Sequence, residues 1–223
     1  MWADVDADKI HVMETQIPYE ARVNYSAILA AVTGYCTEEI IAFLVEELPY
    51  VWKAAYLAMT PRQTDICRFW LGSFEYIYDD YATLVARGVV PYDSKAEARL
   101  VAVLGWSTPH EQNRDDYRLR RWIGPTEAYF GRRWDKGHFI AHSIGGAVDH
   151  AEVNVFIQRR DLNRGWSRVG KRFRAMERYC FLNPGTFCFN RPLYTDGSAR
   201  PAFVEFGVLT INKELWVECF DNR

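Results

Sequence analysis

The residues whose types could carry out chemistry are concentrated in the stretch 134–177. Asp135, Lys136 and His138 stand at its start, Asn163 follows, and a segment rich in arginine closes it. A histidine can act as a general base near neutral pH. An amide oxygen is a suitable ligand for a hard divalent cation, and arginine binds phosphate. These residue types together predict cleavage of a phosphodiester with the help of one divalent cation.

Positive charge is concentrated around these residues, although the whole chain is slightly acidic. The 223 residues carry a formal net charge of −2. Residues 1–130 contain 12 Lys and Arg against 19 Asp and Glu, whereas residues 131–180 contain 11 against 5. A local excess of cations attracts polyanions such as nucleic acids. The charge pattern therefore favours a polyanionic substrate for the part of the chain that follows residue 130.

Two motifs in this stretch resemble those of the DNA/RNA non-specific endonuclease family, which belongs to the ββα-metal (His-Me finger) nuclease superfamily. The first is the family's D-R-G-H motif, which is matched by Asp135-Lys136-Gly137-His138. The second is a pattern close to N-x3-Q-x4-N-x-G-x-W, and the matching residues are Asn154, Gln158, Asn163, Gly165 or its neighbour, and Trp166, which here follows Gly165 directly. The resemblance covers about residues 131–210. Lys136 replaces the arginine of the family motif, and Lys171 stands where the family often has a glutamate.

The resemblance implies the roles of the central residues. His138 is expected to be the general base that activates water. Asn163 is expected to bind the cofactor, Mg²⁺, with Mn²⁺ as the alternative ion. Lys136 and Arg164 are expected to act on the phosphate in the transition state, and the family chemistry implies a 5′-phosphate product.

The remaining matched or neighbouring residues are expected to support this centre. Arg159, Arg160 and Arg168 are predicted to bind the nucleic-acid backbone. The positions predicted to support the metal site are Asp135, Asn154, Gln158 and Glu177. Contacts to the phosphate backbone carry little sequence information, so cleavage is expected to be weakly selective and sensitive to salt.

Several other residues in the stretch have a simpler interpretation. His142 and His150 are expected to be histidines of a loop or sheet rather than ligands. A zinc site built from His138, His142, His150 and a cysteine is the alternative, but no two cysteines have zinc-finger spacing. Trp166 is expected to be the buried anchor of its helix. The arginine-rich helix itself is either a solvated face or a binding surface.

Composition excludes some classes of protein and favours others. The chain has no apolar window of the roughly 18–20 residues that a membrane span needs, so no membrane partner is expected. Five scattered cysteines without a CxxC motif predict reduced, mostly buried thiols and a cytoplasmic protein. The acidic amino terminus does not have the pattern of a signal peptide. Export without a cleaved signal is the alternative.

Hydrophobic periodicity and turn residues predict the elements that position these side chains. Helices are predicted over residues 19–35, 38–48, 60–87 and 98–106. Thr37 is the predicted N-cap of the second, and Pro49 is expected to end or kink it. Strands are predicted over 136–142 and 151–157, then one helix over 161–179. Three further strands are predicted over 186–194, 201–209 and 214–220.

These elements predict an α+β protein with two parts. Residues 1–125 form a helical region of unknown role, and residues 126–223 form a ββα-metal nuclease-like domain with a small antiparallel sheet. The expected function is a metal-dependent endonuclease acting on DNA, RNA or both, of the kind found in toxins and defence effectors. The acidic helical region is then expected to be a targeting, trigger or inhibitory module that contacts an inhibitor or trigger protein. If it shields the basic cleft, deleting residues 1–125 is expected to raise activity. The alternatives are a catalytically inactive nucleic-acid-binding module and a helical protein–protein adaptor.

Overall fold

The computed structural model of the chain describes residues 17–109, 131–147 and 151–223, and it has a mixed α+β architecture. The first part contains α1 (Tyr25–Ala30), α2 (Thr37–Met59), β1 (Ile66–Leu71), β2 (Phe74–Asp79), α3 (Tyr81–Ala86) and β3 (Arg99–Trp106). The second part contains β4 (Trp134–His138), α4 (Ala151–Asn154), β5 (Val155–Arg159), α5 (Arg160–Asn163), α6 (Arg168–Leu182), β6 (Phe187–Leu193), β7 (Phe203–Leu209) and β8 (Leu215–Asp221). Short 3₁₀ helices lie at Tyr19–Ala21 and His142–Ile144.

The centre of the molecule is a six-stranded antiparallel sheet with the order β1-β2-β3-β6-β7-β8. Its two middle strands come from distant parts of the chain, because β3 pairs with β6 from Val103 opposite Asn190 to Trp106 opposite Phe187. Every residue of β6 and β7 is buried. Strands that are covered on both faces need apolar side chains in both directions, which explains why β6 and β7 are mostly apolar. The buried charges of Arg191 and Glu205 pair with each other at 2.8 Å.

A different layer of structure covers each face of this sheet. On one face, α2 packs through Leu44, Leu48 and Trp52, which recur every four residues along one side of the helix. On the other face lie the two-stranded sheet of β4 and β5 and helix α6, which pack through residues such as Phe156 and Phe173. Side chains alternate between the faces along each strand, so neighbouring residues of β6 join different clusters. This packing against the sheet sets the position of the elements on the second face.

The prediction of a helical region over residues 1–125 is wrong for much of the described part. Residues predicted as one helix over 60–87 form β1, a turn at Gly72, β2 and the short helix α3. Their aromatic residues suit a strand as well as a helix, and Arg68 pairs with Glu75 across the hairpin at 2.8 Å. The segment predicted as a helix over 98–106 is the central strand β3, whose length and apolar run do not distinguish the two structures.

Other boundaries also differ from the sequence prediction. Helix α2 does not end at Pro49 but continues to Met59, and its cap is Cys36 rather than Thr37. The single helix predicted over 161–179 is two helices, α5 and α6, separated by a turn at Gly165. The three strands predicted after residue 185 are confirmed as β6, β7 and β8. The predicted domain boundary at residues 125 and 126 lies outside the described residues, as does His150.

Two further expectations concern the whole chain. Within the described residues, no helix is long and apolar enough to cross a membrane. The five cysteines are free thiols, with Cys180 and Cys188 buried, Cys219 half-buried, and Cys36 and Cys67 exposed.

Candidate functional site

A cleft of about 600 Å³ lies on the second face of the molecule, where the end of β4 meets the 3₁₀ helix, α5 and α6. Its lining is mainly polar: Asp135, Lys136, His138, Ala141, His142, Ser143, Asn163, Arg164, Arg174 and Glu177. His138 and Asn163 are far apart in sequence, yet they line the same cleft. The structure therefore brings together the two residues on which the predicted chemistry depends.

His138 is held in place by the backbone on both sides of it. It is the last residue of β4 and lies opposite Val155 of β5. The next residue, Phe139, donates its backbone N–H to the carbonyl oxygen of Asn154 at 2.9 Å, and its own carbonyl accepts from Nδ2 of Asn190 at 2.9 Å. Nε2 of His138 is a buried atom. These contacts tie the histidine to both the hairpin and the central sheet.

Asn154 supports the loop that follows His138. Its side chain is fully buried, and its Oδ1 accepts from the backbone N–H of Ile140 at 3.0 Å. Its Nδ2 donates to the carbonyl oxygens of Ile140 and Ala147, each at 2.9 Å. Because the amide is used by the backbone, Asn154 contributes to the site by fixing the loop. Asn154 itself is not one of the described residues that line the cleft.

Gln158 also lies behind the cleft rather than in it. Its side chain is fully buried and packs across Gly137, where any β-carbon would collide with the Gln158 amide oxygen. The glycine of the Asp-Lys-Gly-His sequence is therefore required by the cross-strand packing of the hairpin. No hydrogen-bond partner for the amide of Gln158 occurs in the part of the chain that the structure describes.

Asp135 connects Asn163 to two arginines. Oδ2 of Asp135 accepts from Nδ2 of Asn163 at 3.4 Å, which leaves Oδ1 of Asn163 for another partner. Arg164 binds both carboxylate oxygens at 2.6 and 3.1 Å, and Arg160 binds Oδ1 at 2.9 Å. Burial raises the pKa of Asp135, but hydrogen bonds from Arg164, Arg160 and Asn163 outweigh it and hold the pKa below its ordinary value. Asp135 is thus a charged anchor that orients Asn163.

Glu177 is the acidic residue of the cleft that carries the largest pKa shift. Its side chain is almost fully buried, and Oε2 accepts from Arg174, one turn earlier on α6, at 2.6 Å. Burial raises the pKa of Glu177 to about 7, and the charge of Arg174 only partly opposes this. Perturbed carboxylates of this kind are common at functional sites. Glu177 lines the same cleft as Asn163, whereas Lys171 is not among the described residues of the lining.

The cations predicted to bind substrate are divided between the cleft and other surfaces. Lys136 and Arg164 line the cleft, and burial lowers the pKa of Lys136. Arg159 is turned towards Asp161, with two contacts at 2.9 and 3.1 Å, and Arg160 is used by Asp135. Arg168 is exposed in the first turn of α6. Arg159, Arg160 and Arg168 are therefore not among the described residues that line the cleft.

The sequence did not identify three polar residues of the cleft, His142, Ser143 and Arg174. His142 was expected to be a histidine of a loop or sheet without a role in the site. It lies in the short 3₁₀ helix His142–Ile144, and this helix forms one wall of the cleft. Arg174 precedes Glu177 by three residues, a spacing that places both on the same side of a helix. That spacing was the available clue, but it is useful only once Glu177 is known to face the cleft.

Trp166 is not the buried anchor that the sequence predicted. Its side chain is 63 % exposed, and the guanidinium of Arg164 lies 5.0 Å from the centre of its ring. The reason is the turn at Gly165, whose φ of 68° belongs to the left-handed region. This turn separates α5 from α6 and directs the indole outward.

The comparisons with known proteins do not supply a family. No protein-family model matches the chain, and no curated protein matches it. In the described residues, no group of three or more His, Cys, Asp or Glu side chains is arranged to hold a metal ion. The donor set of the cleft is different, since it combines an amide oxygen, a carboxylate and a histidine.

Proposed function

We propose that the protein is a metal-dependent, weakly sequence-selective endonuclease that hydrolyses phosphodiester bonds of DNA, RNA or both. The observation that carries the proposal is the shared cleft, in which His138, Asn163 and Glu177 are surrounded by Lys136 and two arginines. A base, oxygen ligands and cations are the groups that phosphodiester hydrolysis requires. The resemblance of the two sequence motifs to the DNA/RNA non-specific endonucleases points to the same chemistry.

The proposed core is of the ββα-metal type. The antiparallel pair of β4 and β5 is followed in the chain by α5 and α6, and the cleft lies where His138 at the end of the first strand faces the helices. In this arrangement the hairpin supplies the base, and the helical segment supplies the oxygen ligands. The large sheet behind them serves as the support on which the hairpin and α6 pack.

The donors in the cleft fit a hard divalent cation such as Mg²⁺. Asn163 offers Oδ1 because its Nδ2 is used by Asp135, and Glu177 is a buried carboxylate whose pKa is about 7 in the absence of a cation. Oxygen donors suit Mg²⁺ or Mn²⁺, and few protein ligands suffice because Mg²⁺ usually keeps several waters. When bound, the ion would supply Lewis-acid stabilisation of the phosphoryl oxygen and of the leaving 3′-oxygen.

The chain's own residues then divide the remaining work. His138 removes the proton of the attacking water, a task for which an imidazole near neutral pH is suited. Asp135 holds the amide of Asn163 in the orientation that presents its oxygen to the cleft. Lys136, Arg164 and Arg174 bind the phosphate and offset the negative charge that grows in the transition state. These contacts reach phosphates rather than bases, so weak sequence selectivity is expected.

A direct test is to incubate the protein with plasmid DNA and with structured RNA, in Mg²⁺ and in EDTA. We expect wild-type protein to cleave at least one substrate in Mg²⁺ and neither in EDTA. His138→Ala and Asn163→Ala should lower the rate by at least about 100-fold, because each removes a group that acts on the reacting phosphate. Lys53→Ala is the control, because it changes an exposed lysine of α2, which covers the opposite face of the sheet, and it should keep most of the activity.

The same experiment separates the alternatives. Binding of nucleic acid without cleavage in Mg²⁺ or Mn²⁺ would support a catalytically inactive binding module. Cleavage that persists in His138→Ala would contradict the proposed site. The adaptor alternative relied on aromatic helices, but the aromatic residues of 66–79 lie in the strands β1 and β2.

A further inference from the structure

An exposed indole lies beside the cleft, and nothing in the proposed chemistry uses it. Trp166 is 63 % exposed, although tryptophan side chains are highly buried on average. It follows Gly165, and Gly165 lies between two residues of the cleft lining, Arg164 and the aliphatic stem of Arg174. Trp166 is not among the described residues that line the cleft, but its ring contacts Arg164, which does, so the indole lies at the rim of the cleft that contains His138.

The backbone around Trp166 is held rigidly. Its N–H donates to the carbonyl oxygen of Asp161 at 2.9 Å, which closes the turn after α5. Ser167 then caps α6, with Oγ accepting from the N–H of Gly170 at 2.9 Å. Gly170 packs so closely on this turn that a β-carbon would collide with the carbonyl oxygen of Asp161. A side chain held outward by a fixed turn is ordered before any ligand arrives, which lowers the entropy lost on binding.

Contacts between charged and polar side chains connect the indole to the proposed catalytic residues. Arg164 places its guanidinium 5.0 Å from the centre of the Trp166 ring and binds both oxygens of Asp135. Asp135 in turn binds Asn163, the proposed ligand of the cation. A strand whose phosphate lies in the cleft would thus pass a cation and then a flat aromatic surface. This combination of a cationic groove and an aromatic platform binds unpaired nucleotides, because every base has a face that can stack.

We propose that Trp166 is a stacking platform for an unpaired nucleobase next to the scissile phosphate, so that single-stranded nucleic acid is the preferred substrate. The inference rests on the proposed nuclease function and names its substrate class. In a duplex the faces of a base are covered by its neighbouring bases. The free energy of unstacking has to be supplied before the indole can contact a base face. Duplex binding would then depend on the cleft cations alone.

The test measures binding in Mg²⁺ with His138→Ala as the background, so that substrate is not consumed. The probes are a short fluorescein-labelled oligothymidine, the same strand paired with oligodeoxyadenosine, and a strand of equal length built from abasic sites. Trp166→Ala should weaken binding of oligothymidine by about 5- to 100-fold and binding of the duplex by less than about twofold. The abasic strand should bind equally well with and without the indole. Trp166→Phe should retain most of the affinity for oligothymidine.

Tyr50→Ala is the matched control, because Tyr50 is 75 % exposed but lies on α2, which covers the opposite face of the sheet. It should change none of the three affinities. Equal losses on all three probes in Trp166→Ala would overturn the stacking role, and so would no loss on oligothymidine. The proposed nuclease function is tested independently of the stacking role, and it is contradicted if wild-type protein cleaves neither plasmid DNA nor RNA in Mg²⁺. Base-dependent binding through Trp166 would remain meaningful in that case, as the property of a binding module.

Discussion

At the scale of single residues, Glu177 lies in an environment that disfavours its charged form. Its carboxylate is buried with one arginine for a partner, and its pKa lies at about 7 instead of the ordinary 4.5. A group with a raised carboxyl pKa binds its proton more tightly in the folded state than in the unfolded state. The free energy of unfolding therefore falls as pH rises from about 4.5 to about 7.

We predict that Glu177→Gln stabilises the cation-free protein at pH 8 and not at pH 4. The amide does not ionise, so the variant avoids a penalty of roughly 3 kcal/mol that follows from a shift of this size. Thermal unfolding in EDTA should show a melting temperature several degrees above wild type at pH 8. Glu218→Gln is the control, because Glu218 also pairs with an arginine of α6, at 2.6 Å, but lies outside the cleft lining among described residues. Equal stabilisation by both changes would contradict the assignment.

A second prediction concerns Asp135. Asp135→Asn keeps the size of the side chain but removes the charge that holds Arg164, Arg160 and the amide of Asn163. We expect nuclease activity to fall by about 10- to 100-fold, as is common for residues that orient a metal ligand. Isothermal titration with Mn²⁺ should show weaker binding as a readout independent of turnover.

Asp161→Asn provides the comparison for Asp135, since Asp161 pairs with Arg159 away from the cleft at 2.9 Å. It should leave both cation binding and activity close to wild type. If both substitutions lowered cation binding equally, the loss would reflect general electrostatics, and the specific role of Asp135 would be rejected.

At the scale of elements, the hairpin of β4 and β5 is the part that presents His138. Its two strands pair from Trp134 opposite Arg159 to His138 opposite Val155. The tight packing of Gln158 over Gly137 sets how closely the two strands lie on the side behind the cleft. The position of His138 therefore depends on residues that do not touch the cleft themselves.

We predict that Gly137→Ala destabilises the protein by about 1–3 kcal/mol, because the added methyl group overpacks a buried site. Chemical denaturation monitored by tryptophan fluorescence measures the change. Adding Gln158→Ala to Gly137→Ala should recover part of the lost stability, since it removes the atoms with which the methyl group collides. A double variant that is as unstable as the sum of the two single changes would show that the contact is not the cause.

At the scale of the whole molecule, the sheet joins the two halves of the sequence. Strands β1, β2 and β3 precede the cleft residues in the chain, and β6, β7 and β8 follow them. Phe74 and Val103 of the first half pack in the same core as Phe156 and Phe173 of the second. The support of the cleft therefore comes from both halves.

This organisation changes the expected effect of truncation. The sequence predicted that removing residues 1–125 would raise activity by uncovering a basic cleft. A fragment of residues 126–223 lacks three of the six sheet strands, exposes an unpaired edge at β6 and leaves α6 without part of its core. We expect it to be unfolded or aggregated, with poor dispersion in a ¹H–¹⁵N NMR spectrum and no nuclease activity. A fragment that unfolds cooperatively would instead establish an independent domain.

The sequence allowed accurate predictions where local chemistry determines the outcome. The strands β6 to β8 were recognisable because turn residues such as Asn183, Pro184 and Gly185 separate apolar runs. The sequence also indicated that His138 and Asn163 belong together, through motifs rather than through periodicity. It failed for β1 to β3. The apolar runs of β2 and β3, which are buried almost throughout, do not distinguish a strand from a helix, and the aromatic residues of the partly exposed edge strand β1 fit either structure.

The sequence by itself determined the chemical groups, namely an imidazole, an amide oxygen, an acid and an excess of cations after residue 130. Only the tertiary structure decided which of them meet. It placed Glu177 and Arg174 in the cleft, turned Arg159 towards Asp161, and exposed Trp166 at the rim. The physical reason is that side-chain direction depends on strand pairing, on the turn at Gly165 and on packing against a sheet built from both halves of the chain. None of these long-range contacts is encoded in the spacing of neighbouring residues.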